Sequence, residues 1–321
     1  MVAIALAALL AAAPMQTPPQ TPLPAAQAAP EQSEPVDLGE VEVTGRPLDD
    51  MIRTFVTEVA EPNRRRGIAR WADRLCVGVV NLRAEPAQYI VDRVSTVAED
   101  LGLRTGGPGC APNVVVIASD QPDSLAADLI RERRRGLRLG GAGMDRGGAA
   151  LRDFAASDQP VRWWQVSIPV DADTGARAIR LPGEFRGACD PLGNNPGDYA
   201  PLTPVFAASR LSNEIVDQLL RTVVILDMEQ VGGVSAQQLA DYVAMVTLAQ
   251  IDPEADTSGY ATILNLFQAP DAAGGLTNWD RAYLSGLYDA ERTRRNLRAG
   301  RMEIADSIHR SHQALRVAEA E

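Results

Sequence analysis

Lysine is missing from this chain, so all 31 of its basic residues are arginine. A Schiff-base lysine, a lysine general base and the lysine of a phosphate-binding P-loop are therefore excluded. Histidine is almost as scarce: the two residues, His309 and His312, sit in the C-terminal stretch "SIHRSHQ". A zinc hydrolase needs two histidines four apart on one helical face, a further ligand and a glutamate beside the metal. A Ser-His-Asp triad would have to recruit the tail, and there is no G-x-S-x-G elbow. The spacing of His309 and His312 suits a surface metal site at best, and a solvated tail is the expected setting, so neither a metal nor another cofactor is expected. A basic face is also lacking. The formal net charge of -11 argues against nucleic acid or an anionic membrane surface as the main partner.

What is there suffices for folding. With 321 residues, 45% hydrophobic and 23% charged, the chain buries one sizeable core or two small ones. Val2–Pro14, "VAIALAALLAAAP", has the length and small-residue ending of a signal peptide and is too short to span a bilayer. Cleavage after residue 13 is expected, with a second site near residue 28. Nothing charged precedes Val2, so either the true start lies upstream or the signal is atypical. Export, to the periplasm or beyond the cell, is the expected destination, with no transmembrane segment once the signal is removed. Residues 14–37, rich in Pro, Gln and Ala, read as a disordered linker. Residues 38–300 read as one globular domain and 301–321 as a polar tail, helical or coil. "EVEVTGRPL" (Glu40–Leu48) reads as a short solvent-edge strand.

Three cysteines in an exported chain predict one disulfide and one thiol left over. Cys76 opens the buried-strand pattern "CVGVV", and Cys110 precedes the strand pattern "NVVVIAS". Between them Ile90, Val94, Val97 and Leu101 form a helical stripe, giving strand, helix, strand. The simplest picture of that crossover sets the cysteines at opposite ends unless the loop Gly106–Cys110 folds back. Cys76–Cys110 is nevertheless the expected bridge, and Cys189 the inert or transiently paired thiol.

Further along, a helix is expected from about Ser124, followed by an arginine and glycine run that reads as a solvated loop, and then a short helix. "WWQVSIPVDADTGARAIRLPG" alternates around a turn at Asp171–Gly175, the pattern of a β-hairpin. Asp171, Asp173 and Gly175 resemble half a calcium loop without the ligands that should follow. A strand is expected over Thr222–Asp227. Ser235 and Gln238 then make a capping box for the helix "QQLADYVAMVTLAQID". Apolar residues surround most of that helix, which places it deep in the domain. "GLTNWDRAYLSGLYDAE" predicts another helix, capped by Thr277 and Asp280.

This succession resembles the metzincin zinc proteases. In that family a strand-helix-strand start and a sheet with an edge hairpin lead to a zinc-binding helix, then a methionine turn, then a closing helix. Thr262-Ile263-Leu264-Asn265 is similar to the turn, with Leu264 in place of the methionine. Leu276-Thr277-Asn278-Trp279-Asp280 and Leu287-Tyr288 are similar to the closing helix. The resemblance covers about residues 76–290 and implies an α/β (α+β) fold, a mixed twisted sheet with an edge β-hairpin and packed helices. The chain also resembles uncharacterised exported proteins of Gram-negative bacteria that carry C-V-G-V, G-C-x-P-N and A-D-Y-V-A-M segments.

The zinc chemistry does not carry over. Pairs four apart on the central helix are Gln238 with Tyr242 and Asp241 with Met245, and neither holds zinc. The candidate cleft is then Asp227, Glu229, Gln238, Asp241, Tyr242 and Met245. The expected function is a catalytically inactive binding module for a peptide or protein of the cell envelope, docking an extended segment along the "WWQVSIPV" edge strand. The alternatives are a metal-free hydrolase using the carboxylates of Asp227, Glu229 and Asp241, as paired carboxylates do in sugar hydrolysis, and a structural envelope protein whose cleft does nothing. For Asp241 a structural ion pair is the preferred reading.

Overall fold

Valine-rich runs build the centre of the fold. β1 (Val77–Val80), β2 (Val114–Ser119) and β4 (Ile215–Asp227) run parallel, and β3 (Val161–Asp171) lies antiparallel along β4, so the sheet order is β1-β2-β4-β3. The structure is a computed structural model and describes residues 47–63, 66–72, 74–139, 145–179, 212–294 and 296–320, all within the unit Arg46–Glu321. The expected signal peptide, the linker, nearly all of the Glu40–Leu48 strand and Cys189 lie outside the described residues.

Side chains alternate across a pleated strand, and here the alternation sorts two cores. Val116, Trp163 and Val224 face one side, while Ile117, Trp164, Val223 and Ile225 face the other. The adjacent tryptophans thus point oppositely: Trp163 Nε1 donates to the Ile251 carbonyl at 3.1 Å and Trp164 Nε1 to the Leu137 carbonyl at 2.7 Å. Both faces being covered explains strands that read as nearly continuous apolar runs. α3 (Pro122–Leu137) and α4 (Gly147–Ala156) cover one face. The other packs against α1 (Leu48–Val59), α2 (Ala84–Asp100), α5 (Ala236–Leu248), α6 (Asn278–Asp289) and α7 (Leu297–Ala320).

Several expectations change. The arginine run is not a loop as far as Leu137: α3 continues through it with a kink at Arg133, and only residues 140–144 beyond it lie outside the described residues. The expected hairpin is joined by a longer-range pairing. β3 pairs with β4, more than forty residues on, while the chain after the Asp171–Gly175 turn returns through the Val170–Arg177 bridge and an Ala178 N–H bond to the Pro169 carbonyl at 2.9 Å, the remainder of the expected return arm lying outside the described residues. Asp171 spends its carboxylate on the turn itself, accepting from the backbone N–H groups of Asp173 and Thr174 at 3.2 and 2.8 Å, which accounts for its aspartate without calcium. The polar tail, as far as residue 320, is part of a docked helix. Ile304, Ala305 and Ile308 of α7 are buried, and a Cβ on Gly286 of α6 would collide with the Ile308 backbone, so glycine there permits the close approach. α1 has no counterpart among the expected elements, although Ile52, Phe55, Val56 and Val59 carry the i, i+3, i+4, i+7 spacing of a buried helical face.

The Cys76–Cys110 bridge is present, with a Cα–Cα separation of 6.1 Å. The opposite-ends picture fails for a simple reason: parallel strands begin at the same end of a sheet, and both cysteines precede their strands. Val77 pairs with Val114, and Leu75 forms a parallel bridge with Thr105 as the intervening loop runs back. Gly106 passes so close to the bridge that an added Cβ would lie 2.5 Å from Cys110 Sγ.

Two outcomes are expected. Replacing both cysteines with alanine removes a cross-link with a sequence separation of 34 and lowers the unfolding free energy by about 3–4 kcal/mol in urea titrations. Glu61, ion-paired with Arg146, is a half-buried carboxyl. Burial outweighs the Arg146 guanidinium and, with repulsion from Asp252 and Asp153, pushes Glu61 up to about 7 from 4.5. The folded state therefore binds a proton more tightly than the unfolded one, and stability falls as pH rises from about 4.5 to about 7. In parallel denaturation series, Glu61→Gln should flatten that decline, by up to about 1.4 kcal/mol per pH unit.

Candidate functional site

α5 begins with the expected capping box. The Gln238 backbone N–H donates to Ser235 Oγ at 3.2 Å, and the Ser235 N–H donates to Gln238 Oε1 at 2.9 Å. Gln238 is further committed, because its Nε2 donates to the carbonyls of Pro270 and Ala273 at 2.7 and 2.8 Å. From Ala240 to Leu248 every residue of the helix is buried. At its C-terminal end, Gln165 of β3 donates Nε2 to the carbonyls of Val246 and Ala249, satisfying groups a helix end leaves open.

Asp241 is fully buried on this helix and makes an ion pair with Arg93 Nε of α2. Its second oxygen accepts the Leu276 backbone N–H at 2.9 Å. The carboxylate raises the Arg93 guanidinium above its ordinary value by hydrogen bonding. Gly275 lies directly against that carboxylate, leaving no space for a Cβ. Tyr242 and Met245 are core residues. The Tyr242 ring meets Trp163 and Phe267 edge-on at 6.3 and 5.1 Å, and burial pushes its hydroxyl pKa up, while Met245 has no exposed surface. Asp227 closes the turn after β4 by accepting from the Glu229 N–H at 3.0 Å and Gln230 Nε2 at 2.8 Å, and Glu229 itself is exposed. The six candidate residues thus split between core packing, capping, a buried ion pair and a surface turn.

The turn and closing helix meet at Asp280. This carboxyl is fully buried without a basic partner, and it accepts Thr262 Oγ1–H at 2.5 Å and the N–H groups of Ile263 and Thr277, both at 2.9 Å. Burial pushes its pKa up against the pull of those donors. Ile263 and Leu264 are buried, and Asn265 Nδ2 donates to the carbonyls of Thr257 and Tyr260, both at 2.9 Å. The histidines are also spoken for. His309 pairs with Asp49 at 3.0 Å, and His312 packs edge-on against Trp279 at 6.2 Å. Among the described residues no three His, Cys, Asp or Glu side chains converge as metal ligands. β3 is the edge of the described sheet, but all eleven of its residues are buried, so an added strand would have to displace what covers it.

A cavity of about 480 Å³ lies elsewhere, where α1, β4, the end of α6 and the start of α7 meet. Four half-buried arginines line it: Arg66, Arg70, Arg292 and Arg301. Arg53, Arg294 and Arg298 reach it as well, against two acids among the described residues, Asp217 and Glu291. Arg66 Nε donates to both Asp217 oxygens at 2.6 and 2.7 Å, and Arg292 donates to the Asp217 carbonyl. Arg70 Nη1 donates to the carbonyls of Leu287 and Ala290 at 2.5 and 3.1 Å, a cation at the C-terminal end of α6. Burial, then the nearby Arg292, lowers Arg70 to about 10. In sequence Arg292–Arg301 reads only as a basic helix end. The signal that it is more is the contrast of such a run, and of "NRRRGIAR" (Asn63–Arg70), with a strongly acidic chain.

Asp241→Asn should leave Arg93 half-answered beside a buried amide and lower the unfolding free energy by roughly 3–5 kcal/mol. Chemical denaturation measures it, and a change below about 0.5 kcal/mol would show that the pair is not structural.

In comparisons with known proteins, no family model, no curated protein and no solved structure matches this chain.

Proposed function

We propose that this chain is an exported, non-catalytic binding protein built on a metzincin-like scaffold. The observation that carries the reading is the state of α5: where a zinc protease keeps its ligands, this helix is buried from Ala240 to Leu248, and its one carboxylate is committed to Arg93 and the Leu276 N–H. Zinc does not fit there, because Gln238, Tyr242 and Met245 offer no adequate ligand set and Gln238 already serves three backbone partners. The scaffold likeness is supported by an order of parts: the βαβ start, an edge strand antiparallel to the rest, the buried helix, the turn at Ile263–Asn265 and a closing helix joined to that turn by Asp280. Export is supported by the disulfide, which persists in oxidising compartments. No described helix is long and apolar enough to cross a membrane. A partner in the cell envelope fits this reading. The burial of β3 argues for a ligand held away from that edge.

The test is elemental mass spectrometry of the mature protein purified without chelators, together with incubation on unfolded casein. The expected result is less than about a tenth of an equivalent of transition metal and no cleavage. A stoichiometric metal with proteolysis that a chelator abolishes would overturn the proposal.

A further inference from the structure

We propose that the arginine-lined cavity between α1, β4 and the α6–α7 junction binds a small amphiphile: an anionic head, carboxylate or phosphate, on a short apolar body. This deepens the binding reading above and rests on it only in holding that the ligand is kept rather than turned over.

Charge supplies the first argument. In a chain of net charge -11, seven arginines and two acids surround one cavity. Asp217 is answered by Arg66, and exposed Glu291 accepts the N–H and hydroxyl of its neighbour Thr293 at 3.0 and 2.9 Å. Arg294 pairs with Glu303 at 3.0 Å and Arg53 only loosely with Asp50 at 3.9 Å. Arg298 and Arg301 have no ion pair or side-chain hydrogen bond among the described residues. Like charges gathered around a partly desolvated space repel one another: burial lowers both Arg70 and Arg292, and for Arg70 the nearby Arg292 lowers it further. An anion seated between them relieves that repulsion, and guanidinium forks match carboxylate and phosphate oxygens in pairs.

Apolar surface supplies the second argument, independently. Six large apolar side chains are exposed among the described residues, and three of them, Ile215, Leu297 and Met302, line this cavity at 43%, 43% and 41% exposure. Their gathering at one cavity marks a binding surface. Ile68, Val216 and Ile304 continue the apolar lining inward. A bare inorganic anion would leave that surface wet, and a neutral apolar molecule would leave the arginines unanswered. An amphiphilic anion satisfies both. The volume falls in the roughly 300–1,000 Å³ range of small-molecule sites.

Isothermal titration calorimetry on the mature full chain tests this with octanoate and octyl phosphate, against octan-1-ol and inorganic phosphate. At least one anionic octyl probe should bind about tenfold or more tightly than either control, about 1.4 kcal/mol, and the stronger of the two identifies the head group. Arg298→Gln with Arg301→Gln alters exposed or half-exposed residues without structural partners, so circular dichroism should be unchanged while that affinity falls about tenfold or more. Leu297→Gln with Met302→Gln should weaken the octyl anions and leave any inorganic phosphate binding alone. Equal binding of octan-1-ol, equal binding of inorganic phosphate, or an unchanged affinity in the arginine variant would each overturn the pocket assignment and leave the non-catalytic reading standing. Release of octan-1-ol from octyl phosphate would do the reverse: it would keep the pocket and end the non-catalytic reading.

Discussion

A helix without a solvent face imposes the main constraint on this protein. From Ala240 to Leu248, α5 is buried, so its carboxylate and the open carbonyls of its last turn have to be answered from within. The answers come from distant parts of the chain. Arg93 reaches across from α2 to Asp241, Leu276 supplies an N–H from the loop before α6, and Gln165 comes from β3 to the C-terminal carbonyls. Trp71 Nε1 donates to the Thr247 carbonyl at 2.9 Å, and Tyr288 Oη–H to the Leu248 carbonyl at 2.8 Å. One helix thereby positions α2, β3, the segment before β1, and α6.

The same constraint underlies the non-catalytic reading proposed above. A catalytic helix needs a side that opens on water and substrate, with side chains left free to bind a metal or move a proton. Here the helix is buried from Ala240 to Leu248, and Gln238 and Asp241 hold neighbours in place. Asp280 repeats the pattern one layer out, where a buried carboxyl without a cation is held by two backbone N–H groups and a threonine hydroxyl, fastening the Ile263–Asn265 turn to α6. The Ile263–Asn265 turn and the start of α6 thus serve as joinery, and the cavity lies at the α6–α7 junction. Docking of α7 on α6 and α1 helps create that space. Gly286 lets the two helices touch, and the first turn of α7 brings Leu297, Arg298 and Arg301 to the cavity.

Local pattern carried much of the fold. The βαβ unit of β1, α2 and β2, the capping boxes at Ser235 and Thr277, and the burial of α5 were all legible because each depends on residues within about one helical turn or strand length. The pairing of β3 with β4 was not, since the turn at Asp171–Gly175 signals only its local return, whereas β4 lies beyond residue 214. α7 was missed as a packed element because its buried face is only Ile304, Ala305 and Ile308 with few flanking apolar residues. Of the candidate site, the structural role of Asp241 was readable from its place amid apolar neighbours, but the cleft was not. Residues near in sequence to a helix were taken to share a cavity, and the helix proved to be filled on every side.

The sequence by itself determined the excluded chemistries. A chain without lysine cannot assemble a lysine-dependent centre, whatever its fold. It also determined the strand and helix inventory around β1, β2, α5 and α6, and the cysteines available to bridge. Only the tertiary structure decided that Arg93 answers Asp241, that β3 is an edge strand without an open face, and that arginines from positions 53 to 301 surround one cavity. The physical reason is distance along the chain. Pattern reports what a residue and its neighbours within a turn or two prefer, whereas charge pairing and cavity lining depend on which segments packing brings together.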